Sequence, residues 1–289
     1  MGCNFHLTFV AQNVRDADLY FTQAWEIAQA YESRFSRFRE DSELSLLNKQ
    51  KTMTVSDEFL NIYRIAFQLY KKTKGGFNPL VQVRRIGYNN PFEEIEKTKN
   101  IRFKNLRYDV NMENSMVSGN MFFLGQNQEL DFGGLLKGYV AEQIAKRSAS
   151  KYGMIINIGG DIYVRGKNTK NKNFCFFIHN PLDKDKKISF PLEDASLCTS
   201  GTYKRKWKCI DGDVHHIIDS RSRISVQSDV VSASVIHKDG AVADAFATYA
   251  IVLGMERALD FLQSEGIDFV LIDKHGKVKQ SNGFKKIKV

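Results

Sequence analysis

The chain has 289 residues, 43% of them hydrophobic, and a formal net charge of +9. That apolar content is ample for a buried core, and no apolar run approaches the roughly 20 residues of a membrane-spanning helix. The positive balance favours an anionic partner, whether nucleic acid, an anionic membrane or a phosphorylated small molecule, without choosing among them. The start "MGCNFHLTFV" has neither the basic flank nor the long apolar region of a secretory signal, so the chain as written is expected in the cytoplasm if Met1 is the natural start. Cys3, Cys175, Cys198 and Cys209 form no CxxC pair and have no histidine at zinc spacing, so reduced, mostly buried thiols are expected. The lysine clusters at Lys184 to Lys187, at Lys204 to Lys208 and in "GFKKIKV" read as solvated loops and strand faces.

In chain order, "FHLTFV" alternates as a first strand, and Asp16 to Phe38 carries apolar residues at helical spacing. "SELSLLN" is a further helix signal. Ser56 and Asp57 offer caps for a helix through Tyr70 that Gly75 and Gly76 terminate. After an irregular stretch from Phe77 to Asn100, short β segments are expected around Tyr108 to Val110, Met116 to Val117 and Met121 to Leu124. A helix from about Leu135 to Tyr152 follows, and "MIINIGGDIYVRG" reads as two strands hinged at Gly159 and Gly160. Further strands are expected at Phe174 to Ile178, Ser196 to Thr199, His215 to Ile218 and Val230 to Ile236. Helices holding Ala243 to Leu253 and Met255 to Gln263 precede a late strand, "FVLID". With no repeat, linker or composition break, the economical reading is one α+β domain over 1–289, with helices against a mostly antiparallel sheet.

Three clusters could carry chemistry. In "LDFGGLLKGYVAE", Asp131 precedes the helix, Gly133 and Gly134 permit close backbone approach, and Lys137 lies in the first turn. Free amides and an ammonium at a helix start suit a diphosphate; the alternative is an Asp cap, a glycine turn and a surface lysine. The pattern is neither a Walker loop nor GxGxxG. In "ADAFAT", Asp244 and Thr248 stand four apart, so a helix aims both oxygens from one face, where they can hold Mg²⁺; a hydroxyl bonded back to a carbonyl is the alternative. In "GDVHHIIDSRSR", His216 could deprotonate a hydroxyl nucleophile with Asp219 orienting it or binding substrate. His215, its strand neighbour, should then face solvent. "CTSGTY" supplies Thr199, Ser200 and Gly201 for a tight polar loop, and Phe38, Phe77 and Asn78 are placed to contact a flat ligand or to serve as core and turn.

Their order and spacing over nearly the whole chain resemble the ApbE family, the FAD:protein FMN transferases. "MGC" is similar to that family's MGT, "FSRFREDSELSLLN" to MSTYxPxSEISxLN, "GGFNP" to GxFDP, and "LDFGGLLKGYVAE" to DLGGIAKGYAVD. "NIGGDIYVRG" resembles NxGGxxxxxG, "TSGTY" resembles TSGxY, "HIIDSRSR" resembles HIIDPRTG, and "ADAFAT" resembles ADALAT. The resemblance implies an ApbE-like, T-fold-like architecture. It implies FAD contacts from Met1, Phe38, Gly76, Phe77, Asn78, Asp131, Lys137, Gly159, Gly160, Thr199, Ser200, Ile218 and Asp219. It also implies Mg²⁺ held by the Gly134 carbonyl, Asp244 and Thr248, with His216, Asp244 and Lys137 catalytic. The implied reaction moves FMN from FAD to a Thr or Ser hydroxyl of a partner flavoprotein, a respiratory-complex or fumarate-reductase-like subunit, and releases AMP.

Ser220 and Arg223 depart from the Pro and Gly of HIIDPRTG, which is expected to loosen that turn; Phe38 lacks a hydroxyl and Asn78 a charge relative to the pattern. The same constellation would serve an FAD pyrophosphatase, with water as acceptor, or a non-catalytic FAD-binding protein. A nucleic-acid-binding role rests on charge alone, without a motif, and is not expected. Most relatives are exported, often as lipoproteins, so a periplasmic, membrane-anchored location is the alternative if the N-terminus was trimmed.

Overall fold

The computed structural model describes residues 3–11, 13–90, 100–103, 105–148, 150 and 152–286. In chain order the elements begin with β1 (Phe5–Phe9), α1 (Val14–Phe35), α2 (Glu43–Gln50), β2 (Thr52–Thr54), α3 (Asp57–Lys72), β3 (Met116–Ser118), β4 (Met121–Phe123) and α4 (Leu136–Arg147). There follow β5 (Met154–Ile158), β6 (Asp161–Arg165), β7 (Phe174–Asn180), β8 (Asp183–Leu192), β9 (Ala195–Gly201), β10 (Lys206–Cys209) and β11 (Gly212–His215). The chain ends with β12 (Val230–His237), α5 (Gly240–Leu253), α6 (Met255–Ser264), β13 (Asp268–Asp273) and β14 (Val278–Gln280). Among the described residues no helix is long and apolar enough to cross a membrane.

The elements gather into two compact units, each built from separated segments. One comprises Ala30–Gly134 with Lys204–Gln227; the other comprises Cys3–Gln29, Leu135–Tyr203 and the chain from Ser228 onward. The second unit holds a seven-stranded sheet in the order β1-β5-β6-β9-β12-β13-β14, antiparallel at every pairing. Residues alternate across a strand, so each strand splits its side chains between two faces. Helices α4 and α5 cover one face, and the β7–β8 ribbon packs on the other through Ile178, Phe190 and Leu192 against Val164, Leu197, Val270 and Ile272. The α+β class with a mostly antiparallel sheet is as the sequence indicates.

In the first unit, Phe35, Phe59, Phe122 and Phe132 pack with ring centroids 5.5 to 6.1 Å apart around the three-stranded sheet β2-β4-β3. A second cluster joins Val83, Ile86 and Tyr88 to Trp207 and Val214 of the β10–β11 hairpin, pinned where Trp207 Nε1 donates to the Ile86 carbonyl at 2.6 Å. Ser56 caps α3, its Oγ accepting from Phe59 N, and the helix stops where Gly75 adopts φ +78° and its N–H returns to the Tyr70 carbonyl at 2.8 Å.

Several expectations need correction. No strand forms at Tyr108 to Val110, because side chains claim its backbone: Asn78 Nδ2 donates to Val110 O and Arg223 Nε to Tyr108 O. Helix α4 ends at Arg147 rather than Tyr152, because the Arg165 guanidinium takes the Ala145, Ser148 and Ser150 carbonyls, while Ser150 N turns to Ser148 Oγ and Tyr152 N to Ser150 Oγ. The strand from His215 stops at once, and only Ile218 bridges onward, to Ser225. Among the described residues no disulfide joins the cysteines, and only Cys198 and Cys209 are buried; Cys175 is exposed.

Candidate active site

In the second unit, β6 and β9 run side by side beneath the N-terminal turns of α4 and α5. Asp161, the first residue of β6, is 1% exposed, and Asp244, in α5, is 2% exposed. Lys137, in the first turn of α4, forms a short ion pair with Asp161 and lies 3.5 Å from Asp244 Oδ2. The other Asp161 oxygen accepts from Thr199 N at 3.0 Å. Lys137 is therefore no surface lysine; two buried carboxylates from two different elements share its ammonium.

Two acids with one base leave this cluster short of positive charge when both acids ionise. The consequence appears at Asp244, whose carboxyl is pushed up to about 7, first by burial and then by Asp161, against the pull of Lys137 and the Gly138 amide. Both contacts of the Asp244 carboxylate, with Gly138 N at 3.2 Å and with Lys137, fall on Oδ2. One turn further along α5, Thr248 Oγ1 pairs with Ser200 Oγ at 2.9 Å rather than with a carbonyl of its own helix. A hydroxyl that donates to Ser200 keeps a lone pair for a cation, so a carboxylate, a hydroxyl and a deficit of positive charge fit the oxygen-only ligation of Mg²⁺.

The closeness of the two helices depends on glycine. A Cβ at Gly138 would stand 2.1 Å from the Gly240 carbonyl oxygen and 3.0 Å from Asp244 Cβ. Buried Glu142, four residues on, accepts from Gly240 N at 2.8 Å and anchors the first turn of α5. Asp161, Gly138 and Glu142 were not singled out by sequence reasoning. The available signals were a carboxylate entering an apolar strand after Gly-Gly and a glycine inside a helical pattern. Thr199 and Ser200, adjacent on β9, face opposite ways: Ser200 meets α5, whereas Thr199 Oγ1 pairs with Ser234 at 2.8 Å. Gly159 and Gly160 turn the β5–β6 hairpin at φ +63° and +103°. A Cβ on Gly159 would stand 2.9 Å from Cys3 Cβ and 3.8 Å from the Lys137 side chain.

The remaining site residues belong to the first unit. Asp131 does not cap α4; it takes Gly133 N at 2.8 Å and pairs with Arg37 Nη1 at 2.7 Å. That guanidinium, which sequence reasoning missed, lies 4.6 Å from the Phe38 ring centroid and 4.3 Å from that of Tyr88, so Phe38 is part of an aromatic and cationic cluster. Phe77 and Asn78 are buried, with the Asn78 amide committed to Val110 O and Leu80 N, and Gly76 N closes on the Thr73 carbonyl. Gly134 ends this unit, while Asp244 and Thr248 belong to the other. Met1 lies outside the described residues.

His216 follows β11 directly, half-buried, its ring edge-on to Tyr88 with centroids 6.2 Å apart. His215 does not face solvent: its Nε2 donates to Val226 O at 3.0 Å and its Nδ1 accepts from Ile217 N. That pairing fixes the neutral tautomer, and burial lowers its pKa. The following turn is tight rather than loose. Ser220 Oγ donates to Gly75 O at 2.8 Å, Arg223 adopts φ +62° with its N–H on Asp219 O at 2.7 Å, and buried Ile218 and half-buried Asp219 are held between.

A Vibrio cholerae protein named FAD:protein FMN transferase is 24% identical to this chain over 300 residues, covering 99% of the chain and 87% of the relative. A Treponema pallidum protein of the same name is 26% identical, covering 90% and 79%. The fold is shared with the Pseudomonas stutzeri flavinyl transferase ApbE in its apo form, at TM-score 0.84 and 18% identity over 100% of this chain and 95% of that one. It is shared too with the flavin transferase ApbE from Vibrio cholerae, at TM-score 0.79 and 22% identity over 100% and 96%. The model of the ApbE family matches residues 1–271, and the chain belongs to that family.

Proposed function

We propose that this protein transfers FMN from FAD to a Thr or Ser hydroxyl of an acceptor protein and releases AMP. The observation that carries the reading is the buried pair Asp161 and Asp244 around the single Lys137 ammonium, a site that favours added positive charge and can receive a diphosphate only with it. Asp244 and Thr248 would hold Mg²⁺, which would neutralise charge developing on the pyrophosphate oxygens. His216 accepts the proton of the acceptor hydroxyl as its oxygen attacks the FMN phosphorus. The bond from that phosphorus to the bridging oxygen breaks, and AMP departs with the bridging oxygen. Lys137 offsets the charge on the departing phosphate, Asp161 holds its ammonium in place, and Phe38, Phe77 and Ile218 with Asp131 and Asp219 bind the dinucleotide. The acceptor class is a flavoprotein of a respiratory complex or a fumarate-reductase-like subunit.

Incubation with FAD, Mg²⁺ and candidate acceptors should add the mass of FMN to one Thr or Ser and release AMP in equal amount. His216→Ala should lower that rate by on the order of 10²-fold or more while FAD binding persists. AMP release with no modified acceptor would instead identify an FAD pyrophosphatase, and long-lived intact FAD a binding protein.

A further inference from the structure

Within the first unit, apart from the residues assigned above, lies a cavity of about 550 Å³ lined by Leu106, Arg107, Tyr108, Asp109, Asn127 and Arg223 among others. Its size falls inside the roughly 300–1,000 Å³ of small-ligand sites. Among the described residues the Arg223 side chain hydrogen-bonds only to carbonyls: Nε donates to Tyr108 O at 3.0 Å and Nη1 to Arg221 O at 3.4 Å. Its guanidinium and that of Arg85 each lie 5.7 Å from the Tyr108 ring centroid. Asp109 keeps its charge but hydrogen-bonds to neither arginine: Oδ1 accepts from Asn111 N and Oδ2 from Asn114 and Gln128, all at 2.8 Å. Among the described residues no carboxylate pairs with Arg107 or Arg223.

Two lining guanidiniums against one carboxylate leave one positive charge in excess, which a single carboxylate balances and a dianionic phosphate overshoots. A planar carboxylate also matches the guanidinium fork, and Leu106 and Tyr108 supply apolar wall for a carbon stem. Arg223 shares one hydrogen-bonded loop with His216, closed by His215 N on Ser225 Oγ at 2.8 Å and Asp219 N on Ile224 O at 3.0 Å. We propose that this cavity binds an acidic side chain of the acceptor protein near its modified hydroxyl, an inference that rests on the transfer reading above.

The test uses the whole protein and two synthetic peptides, one with glutamates flanking a threonine and one with glutamine at those places, measured by calorimetry without FAD. The glutamate peptide should bind at least about tenfold more tightly at low salt, as expected for a charge-assisted contact. Free glutarate should compete with it, and high salt should narrow the difference. Arg223→Gln and Arg107→Gln should each bring the two peptides within about threefold while thermal unfolding shows a folded protein. Equal binding of the two peptides, or a preference that survives both substitutions, overturns the proposal. Binding of glutarate alone overturns the acceptor as its source and leaves a free organic acid. Peptide discrimination by a protein that modifies no acceptor would count against the transfer reading and not against the anion site.

Discussion

Asp244→Asn isolates the charge deficit of the site. The folded protein raises this carboxyl from 3.8 to about 7, so it binds the proton more tightly than the unfolded chain does. The contribution of this group to stability is therefore greatest at low pH, falls as pH climbs between those two values, and levels off above about 7. At about 1.36 kcal/mol per pH unit, the displacement amounts to roughly 4 kcal/mol set against the fold once the group is ionised. Asparagine keeps an oxygen for the Gly138 amide and never ionises, so it escapes that loss. Urea unfolding in EDTA at pH 4.5, 6, 7 and 8.5 should show the variant gaining on the wild type by about 3 kcal/mol over the series. Mg²⁺ should restore stability to the wild type at pH 8.5 and do little for the variant. Parallel pH profiles for the two proteins, or equal stabilisation by Mg²⁺, would refute the charge argument.

Gly138→Ala drives a methyl into the Gly240 carbonyl, so thermal unfolding should reveal a loss of about 2–3 kcal/mol, with α4 and α5 forced apart. A change below about 0.5 kcal/mol would mean the helices slide freely. Burial lowers the His215 pKa, so the contribution of its neutral ring is whole above about pH 6.5 and disappears as pH falls through the lowered folded value. His215→Gln should accordingly be less stable than wild type at pH 7.5, with the gap closing toward pH 5; a gap constant with pH would contradict the assigned tautomer.

Local order was legible wherever a segment's own residues decide it. The Ser56 cap, the Gly75 stop and the Gly159-Gly160 hairpin are written in adjacent residues, and the helices carry their burial in their spacing. Strand β8 was missed because "DKDKKISFPL" pairs only with β7 in a two-stranded ribbon, and its charged half carries no buried alternation. Tyr108 to Val110 looked like a strand for the opposite reason: its own residues favour extension, but Asn78 and Arg223, far off in the chain, consume its carbonyls.

The sequence by itself determined the α+β class, the order of the elements and the segments that carry candidate chemistry, because capping, turn formation and hydrophobic period act between near neighbours. Only the tertiary structure decided that Lys137 is shared by two buried acids, that Asp131 belongs to Arg37, that Thr199 and Ser200 part company, and that His215 is spent on its own loop. The energies behind those choices, desolvation and the pairing of opposite charges, depend on distance in space, and distances such as the 107 positions between Lys137 and Asp244 are set by the fold and not by the chain.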